Sequence, residues 1–219
     1  NVLELSPISS GLVLLWLAGG AFLASAVGGA MSGKLSPAKA VQIGVLLELI
    51  GVAGVGLLVT TGSGWLPLAP LLFIYGIGVG LATAQLTGVI MVDVPDDMSG
   101  QGSGSQSTVR QIGSALGIAV LGTMLFSGTQ ASLETRLDGL EVDAQSQVLI
   151  VDSVVESAGG AIIGLDKAFA EPLGEAKATA VKLAAEEAFT DGAKLSAWAA
   201  AGFLLLGFFS TFRLSLIHI

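Results

Sequence analysis

The chain has 219 residues, of which 53% are apolar and only 12% are charged, and its mean hydropathy is +0.83. A soluble domain carries about 25% charged residues, so this chain could not cover a surface that faces water. It has no cysteine and a single histidine, His218, which argues against a disulfide framework, a metal site and histidine-based catalysis. We therefore predict an all-α, polytopic membrane protein that is not an enzyme and uses no cofactor.

Five stretches are apolar and long enough, at about 20 residues, to cross a hydrocarbon core about 30 Å thick. In chain order they are 9–32, 37–61, 66–92, 107–127 and 194–212. They divide the chain into four membrane helices within 1–127, an extracytoplasmic loop at 128–193, a last membrane helix at 194–213, and a tail at 214–219 that we interpret as non-native.

The net charge of −8 comes from the loop. Residues 128–192 hold twelve acids and four bases, and the rest of the chain is neutral overall. Because no basic stripe is present, nucleic acid is not an expected partner. Apolar residues recur at three- and four-residue spacing in 172–190, which predicts an amphipathic helix there. The stretch 148–155 is more apolar, and its type stays open between helix and strand.

Lysine and arginine in the short loops set the orientation. If the helices alternate, Lys34, Lys39, Arg110 and Arg213 all lie on one side of the membrane. Positive residues favour the cytoplasmic side. We therefore expect a cytoplasmic C-terminus and an extracytoplasmic segment 128–193 in a multi-pass protein of the cell membrane.

Glycine is unusually frequent, at 31 residues. In lipid, a glycine on a helix surface lets a second backbone approach closely, and pairs spaced by four residues are typical of such contacts. This spacing predicts helix packing at three pairs: Gly29 with Gly33, Gly76 with Gly80, and Gly113 with Gly117.

Glu48 is an unusual acid, because it lies in the middle of the second predicted membrane span. An ionised acid at the bilayer centre costs at least about 2.5–3.5 kcal/mol on insertion scales, so such residues usually face a cavity or a partner. Glu48 is therefore the candidate for proton coupling. The alternative is a protonated, structural glutamate that is hydrogen-bonded to a neighbouring helix.

Other polar residues within or beside the spans give weaker candidates. Gln85, Thr83 and Thr87 could line a substrate path, although bonds to neighbouring helices are the commoner use of such groups. Arg110 could form a cytoplasmic gate by pairing with Asp93, Asp96 or Asp97, although an ordinary anchor at the headgroups is favoured.

The stretch 94–125 reads VPDDMSGQGSGSQSTVRQIGSALGIAVLGTML. It resembles the junction before the penultimate helix of the fourteen-helix drug:proton antiporters of the major facilitator superfamily. Three further stretches resemble that family in the same order: 5–12 around Leu-Ser-Pro, 70–80 with Gly-Ile-Gly-Val-Gly, and 188–192. One difference is that the family often has Asp-Arg after its tenth helix, where this chain has Gly33 and Lys34.

The resemblance implies a fragment that carries the last five transmembrane helices of a major facilitator C-terminal half. It implies proton-coupled export of hydrophobic or cationic small molecules by alternating access, in a protein of a bacterial inner membrane whose N-terminal half is missing here. The alternative is a membrane-anchored sensor or scaffold that works through its extracytoplasmic segment, against which the few aromatic residues there predict a thin core. The identity of the substrate, the proton stoichiometry and the partner of Glu48 stay open at this point.

Overall fold

The computed structural model describes residues 7–30, 36–62 and 64–217, and the described part is α-helical without strands. The all-α prediction is confirmed. We number the helices of this part α1 (Pro7–Ala30), α2 (Pro37–Leu58), α3 (Ala69–Met91), α4 (Ser99–Gly139), α5 (Ala144–Glu156), α6 (Leu165–Ala168), α7 (Ala170–Leu173) and α8 (Glu175–Ile217).

Four stretches are long and apolar enough to cross a membrane by length and composition: Pro37–Leu58, Ala69–Met91, Asp96–Gly139 and Glu175–Phe212. The first predicted span corresponds to α1, in which the apolar helical stretch Gly11–Ala26 is shorter. Proline in the first turn of α2 and of α3 suits these helix starts, because the first amide groups of a helix have no intrahelical acceptor.

Helices α4 and α8 differ most from the expected spans. They contain 41 and 43 residues, so each is about 60 Å long, twice the thickness of the hydrocarbon core. Both run without a break across the boundaries at 127/128 and 193/194 that the sequence suggested. The predicted loop is therefore in part the continuation of two membrane helices.

Helix α3 lies between α1 and α2, and glycines allow both contacts. A Cβ atom added at Gly44 of α2 would lie 2.8 Å from the backbone nitrogen of Ala82 in α3, and one added at Gly51 would lie 2.6 Å from the Cβ of Tyr75. On the other side, Gly76 and Gly80 lie against the backbone of Leu17 and Ala21 in α1, where any side chain would overlap. The three backbones are thus as close as helices can pack.

Helix α8 connects α4 to this group. It packs on α2, where the Gln42 amide donates to the Thr211 carbonyl at 3.3 Å, and on α4, where the Ser196 hydroxyl donates to the Leu121 carbonyl at 3.0 Å. Helices α3 and α4 approach each other only near the start of α4, where the Gln106 amide donates to the Thr87 hydroxyl at 3.1 Å. A gap between α3 and α4 therefore remains farther along the two helices.

Outside the apolar spans, the second half of α4 and the first half of α8 pack with α5, α6 and α7. We call this unit, residues 129–191, the extramembrane bundle. Its core is closed rather than thin, because aliphatic side chains from α4, α5, α6, α8 and the two connections that flank α5 meet there: Leu133, Leu137, Val142, Ile150, Val151, Val154, Ile162, Leu165, Val181, Ala184, Ala185 and Ala188. The thin core that the scarcity of aromatic residues predicted is not what the structure shows.

The two helix predictions for this segment are refined. Residues 148–155 lie in α5 and are helical. The helix expected at 172–190 begins at Glu175, because Gly174, with a φ of +82°, ends α7 in a conformation that favours glycine. Its buried face contains Ala178, Val181, Ala184, Ala185 and Ala188, since the positions of α4 and α5 decide which face is covered.

We expect Ile150→Ala to destabilise the bundle by about 2–5 kcal/mol, because Ile150 is fully buried and its truncation leaves a cavity. Leu149→Ala is the matched control, since Leu149 is the adjacent residue on α5 and its side chain is exposed. Amide hydrogen exchange across α5 in detergent micelles measures the effect. Equal exchange rates in the two variants would show that the buried core does not hold α5 in place.

A second test concerns pH. The Ser146 amide donates to the Asp143 carboxylate at 3.0 Å, and this bond, with help from the Ser146 hydroxyl, lowers the pKa of Asp143 below its ordinary value. The ionised carboxylate therefore stabilises the start of α5 above about pH 4, and this contribution is lost as the pH falls through the lowered pKa. Hydrogen exchange at the start of α5, followed from about pH 6 to about pH 3, should show faster opening in acid.

Asp143→Asn provides the control for that experiment. Asparagine caps a helix about as well as aspartate but carries no charge. In this variant the opening at the start of α5 should not depend on pH. If wild type and variant respond to acid in the same way, a group other than Asp143 causes the change.

Candidate functional site

The gap between α3 and α4 is a cavity of about 900 Å³. It opens within the apolar part of the helices and is bounded by four of them. Its lining consists of Glu48 and Val52 of α2, Tyr75 of α3, Gly113, Ser114, Leu116, Gly117, Val120 and Leu121 of α4, and Ala200, Phe203 and Leu204 of α8. Most of these side chains are apolar.

Glu48 is the charged residue of this lining. It is half-buried, and no hydrogen bond or ion pair joins its carboxylate to another of the described residues. Its position depends on Gly78 of α3, since a Cβ atom there would lie 2.6 Å from the Glu48 backbone nitrogen and 2.8 Å from its Cγ. The absence of a side chain at Gly78 thus lets Glu48 pass over α3 into the cavity.

Few other polar groups line the cavity. Tyr75 and Ser114 bring hydroxyl groups, and Phe203 adds a second aromatic ring. The sequence by itself does not single out these three residues. Only Tyr75 had a usable signal, because it is the single tyrosine of the chain and its hydroxyl lies in an apolar span. Ser114 and Phe203 are ordinary residues for a membrane helix, and only the helix arrangement places them together.

Gly113 and Gly117 differ from their predicted role. A Cβ atom at either position would meet nothing within 4 Å, so these glycines do not pack against a described helix. They line the cavity instead and widen it. Gly76 and Gly80 do lie in a close helix contact, with α1. Gly33 lies outside the described residues, and the surroundings of Gly29 are likewise not described.

The structure does not place the substrate-path candidates in the cavity. The Gln85 amide donates to the Gly28 carbonyl at 3.2 Å and so connects α3 to α1. Thr87 accepts from Gln106, and Thr83 is exposed away from the lining. The reason is helical phase: Tyr75 faces the cavity, whereas the three candidates lie about two to three turns farther along α3 on other faces.

The proposed gate is not formed either. Arg110 and Asp93 are both exposed, and the ion pairs found in the described part of the chain do not include them. Their arrangement fits the alternative of a charged anchor at the membrane surface. The described residues also contain no group of three or more His, Asp or Glu side chains that could hold a metal ion.

The comparison with protein families fits this arrangement of glycine-packed helices. The family model described as Major Facilitator Superfamily matches residues 1–118, which is more than half of the chain. The chain belongs to the major facilitator superfamily. The matched region includes Glu48, Tyr75 and four of the six α4 residues that line the cavity. Family membership makes the chain part of a multi-pass membrane transporter rather than an enzyme.

Three individual proteins are similar to this chain in sequence. The drug efflux pump JefA of Mycobacterium tuberculosis (strain ATCC 25618 / H37Rv) is 30% identical over 213 residues, which cover 95% of this chain and 41% of that protein. The multidrug resistance protein Stp of the same strain is 27% identical over 165 residues, 72% of this chain and 29% of that protein. The tetracenomycin C resistance and export protein of Streptomyces glaucescens is 32% identical over 130 residues, 58% of this chain and 23% of that protein.

The chain thus spans less than half the length of these curated relatives. No solved structure matches it. Because the alignment with JefA covers almost the whole chain, it includes the extramembrane bundle as well as the membrane helices.

The close contact between α2 and α3 gives a direct test of the site geometry. Gly78→Val should destabilise the fold by at least about 1–3 kcal/mol, because the added atoms overlap the Gly44 carbonyl and the Glu48 backbone. The thermal unfolding midpoint in detergent measures this. Gly88→Val is the control on the same helix, where a Cβ atom meets nothing within 4 Å. An equal loss of stability in both variants would contradict the close approach at Gly78.

Proposed function

We propose that this chain works as part of a secondary active transporter that exports hydrophobic or cationic small molecules in exchange for protons. Transport and export are supported by membership of the major facilitator superfamily and by two relatives whose names describe drug efflux and export. The observation that carries the finer proposal is the unpartnered carboxylate of Glu48 in an apolar cavity.

The size and chemistry of the cavity suit such substrates. Sites for small molecules usually have volumes of about 300–1,000 Å³ and are lined by apolar side chains with a few polar groups. The cavity of about 900 Å³ is within this range. The rings of Tyr75 and Phe203 could contact an apolar or cationic group, since aromatic faces attract cations.

Glu48 would couple the export of the substrate to the entry of protons. An ionised carboxylate in apolar surroundings is costly unless something compensates its charge. A proton and a cationic substrate can each do so, but not both at once. Binding of a proton at Glu48 would therefore favour release of the cation, and this competition is the physical basis of exchange. Alternating access of the cavity to the two sides would make the exchange directional.

We further propose that the extramembrane bundle is extracytoplasmic and the C-terminus cytoplasmic, with the lipid bilayer around the apolar helix surfaces. The bond between Gln42 and Thr211 places the start of α2 and the end of α8 on one side. Lys39 lies in the first turn of α2 on this side, and a positive residue there favours the cytoplasm. A missing N-terminal half would supply the rest of the transport path.

A second candidate function is a membrane-anchored sensor or scaffold that works through the extramembrane bundle. The closed core of that bundle favours it, because a folded unit can present a defined surface. In that case the protein would not need a carboxyl group at Glu48, and a substitution there would leave its activity intact.

The deciding experiment uses the intact protein in vesicles with an imposed proton gradient and a panel of fluorescent amphiphilic dyes. Wild type should export dye, and Glu48→Gln should export at least about tenfold more slowly, a factor equivalent to about 1.4 kcal/mol. Glu134→Gln is the matched control, since Glu134 is an exposed acid of the bundle. It should export like wild type.

Other outcomes have defined meanings. Equal export by Glu48→Gln and wild type would assign Glu48 a structural role and move the coupling acid outside this chain. If wild type exports no dye under any gradient, the exporter proposal is wrong and the sensor or scaffold becomes the leading candidate.

A further inference from the structure

Helix α4 contributes six residues to the cavity, more than any other helix, but it is supported from one side. In the described part of the chain its extensive packing within the apolar spans is with α8, and it meets α3 only near its start. The position of the α4 face of the cavity is therefore set by whatever holds α4 against α8.

The two helices are held together most closely where they leave the apolar region. At Gly192 of α8 the backbones touch, since a Cβ atom there would overlap the Leu125 carbonyl and the Thr129 hydroxyl and lie 2.9 Å from the Thr129 nitrogen. Thr129 is fully buried in this contact. One turn away, a Cβ atom at Gly128 would lie 3.7 Å from the Cβ of Leu195.

An ionic network follows one to two turns farther out. The Arg136 guanidinium of α4 donates to Glu187 and, at 3.0 Å, to Asp191, both on α8. Ser132 completes the network, because it donates to Asp191 at 2.9 Å and accepts from the Arg136 Nε at 3.2 Å. An isolated pair that is partly exposed contributes only about 0–1 kcal/mol, but a guanidinium shared between two carboxylates and a hydroxyl also fixes an orientation.

Beside the network and farther out, the fully buried Leu133 and Leu137 of α4 pack in the same core as Val181 and Ala185 of α8. The backbone contact, the ionic network and this core thus follow one another along a single pair of helices. Thr129 is twelve residues from Gly117, about 18 Å along α4. A rigid helix converts a displacement at Thr129 into a tilt at the cavity.

We propose that Gly192 and Arg136 are positioning residues for transport: together with the extramembrane bundle they hold α4 against α8 and thereby set the position of the α4 face of the cavity. This inference rests on the proposed function, because it gives the cavity its role in transport. It assigns the bundle a task that differs from binding a partner.

The first test measures the helix contact without transport. The chain has no cysteine, so Gly128→Cys with Leu195→Cys introduces a single pair in the intact protein once any cysteines elsewhere in it are replaced. The 3.7 Å separation of the Cβ atoms fits a disulfide, for which about 3.8 Å is typical. We expect nearly complete oxidation in membranes. Adding Gly192→Val should lower the yield severalfold, whereas adding Gly202→Val should not, since Gly202 lies on the same helix in open space.

The second test measures dye export by Gly192→Val and Gly202→Val without the cysteine pair, at equal amounts of protein in the membrane. Gly192→Val should export about tenfold more slowly with a raised KM, because small displacements of a site have large effects on rate. Gly202→Val should stay within about twofold of wild type. The proposal is overturned if Gly192→Val leaves either the disulfide yield or the export unchanged.

Arg136→Gln provides a milder variant in case Gly192→Val does not accumulate in the membrane. It should slow export, Arg136→Lys should restore most of it, and the oxidised pair at positions 128 and 195 should restore export in Arg136→Gln while the reduced pair does not. Failure of the disulfide to restore export would show that Arg136 acts in some way other than holding the helices. If wild type itself exports nothing, the proposed function fails, and the disulfide yields still decide whether Gly192 holds α4 against α8.

Discussion

The close approach of helix backbones at glycine residues is the constraint on which the rest of this structure depends. Between helices in lipid there is no hydrophobic driving force, so their association relies on tight van der Waals contact and on hydrogen bonds across the interface. Gly44, Gly51 and Gly78 bring α2 and α3 together, and Gly192 does the same for α4 and α8. The same residue type has the opposite effect at Gly113 and Gly117, where no helix of the described part approaches and the missing side chains leave space for a cavity.

Arg136 and Glu48 differ in whether neighbouring side chains compensate their charge. Where α4 and α8 extend beyond the apolar spans, Arg136 meets two carboxylates and a serine, so its charge is compensated within the fold. In the cavity, Glu48 has no such partner among the described residues. A fully compensated network favours one fixed geometry, whereas an uncompensated carboxylate responds to whatever cation enters. The first arrangement suits a structural contact and the second suits an exchange site.

The family match covers the Glu48 side of the cavity but not the network around Arg136. The match to the major facilitator superfamily ends at residue 118, within α4, so Glu48, Tyr75 and the glycine face lie inside it. Val120, Leu121 and the α8 residues of the cavity lie beyond it, together with the extramembrane bundle. The alignment with JefA nevertheless includes the bundle, so JefA has a corresponding segment at the same place in its sequence.

Composition by itself determined the class of this protein, because a chain with 12% charged residues can fold only where little of its surface meets water. The sequence also identified Glu48, since the cost of an acid in an apolar span does not depend on the neighbouring helices. It could not show that Gly113 and Gly117 line a cavity whereas Gly76 and Gly80 pack against another helix. The four-residue spacing is the same in both pairs, and only the presence or absence of a neighbouring helix distinguishes them. For the same reason it left Gln85 open between a substrate path and a bond to a neighbouring helix, and only the structure identifies the partner as a carbonyl of α1. It also did not foresee the bundle core, in which small side chains from distant parts of the chain exclude water only once α4 and α8 lie side by side.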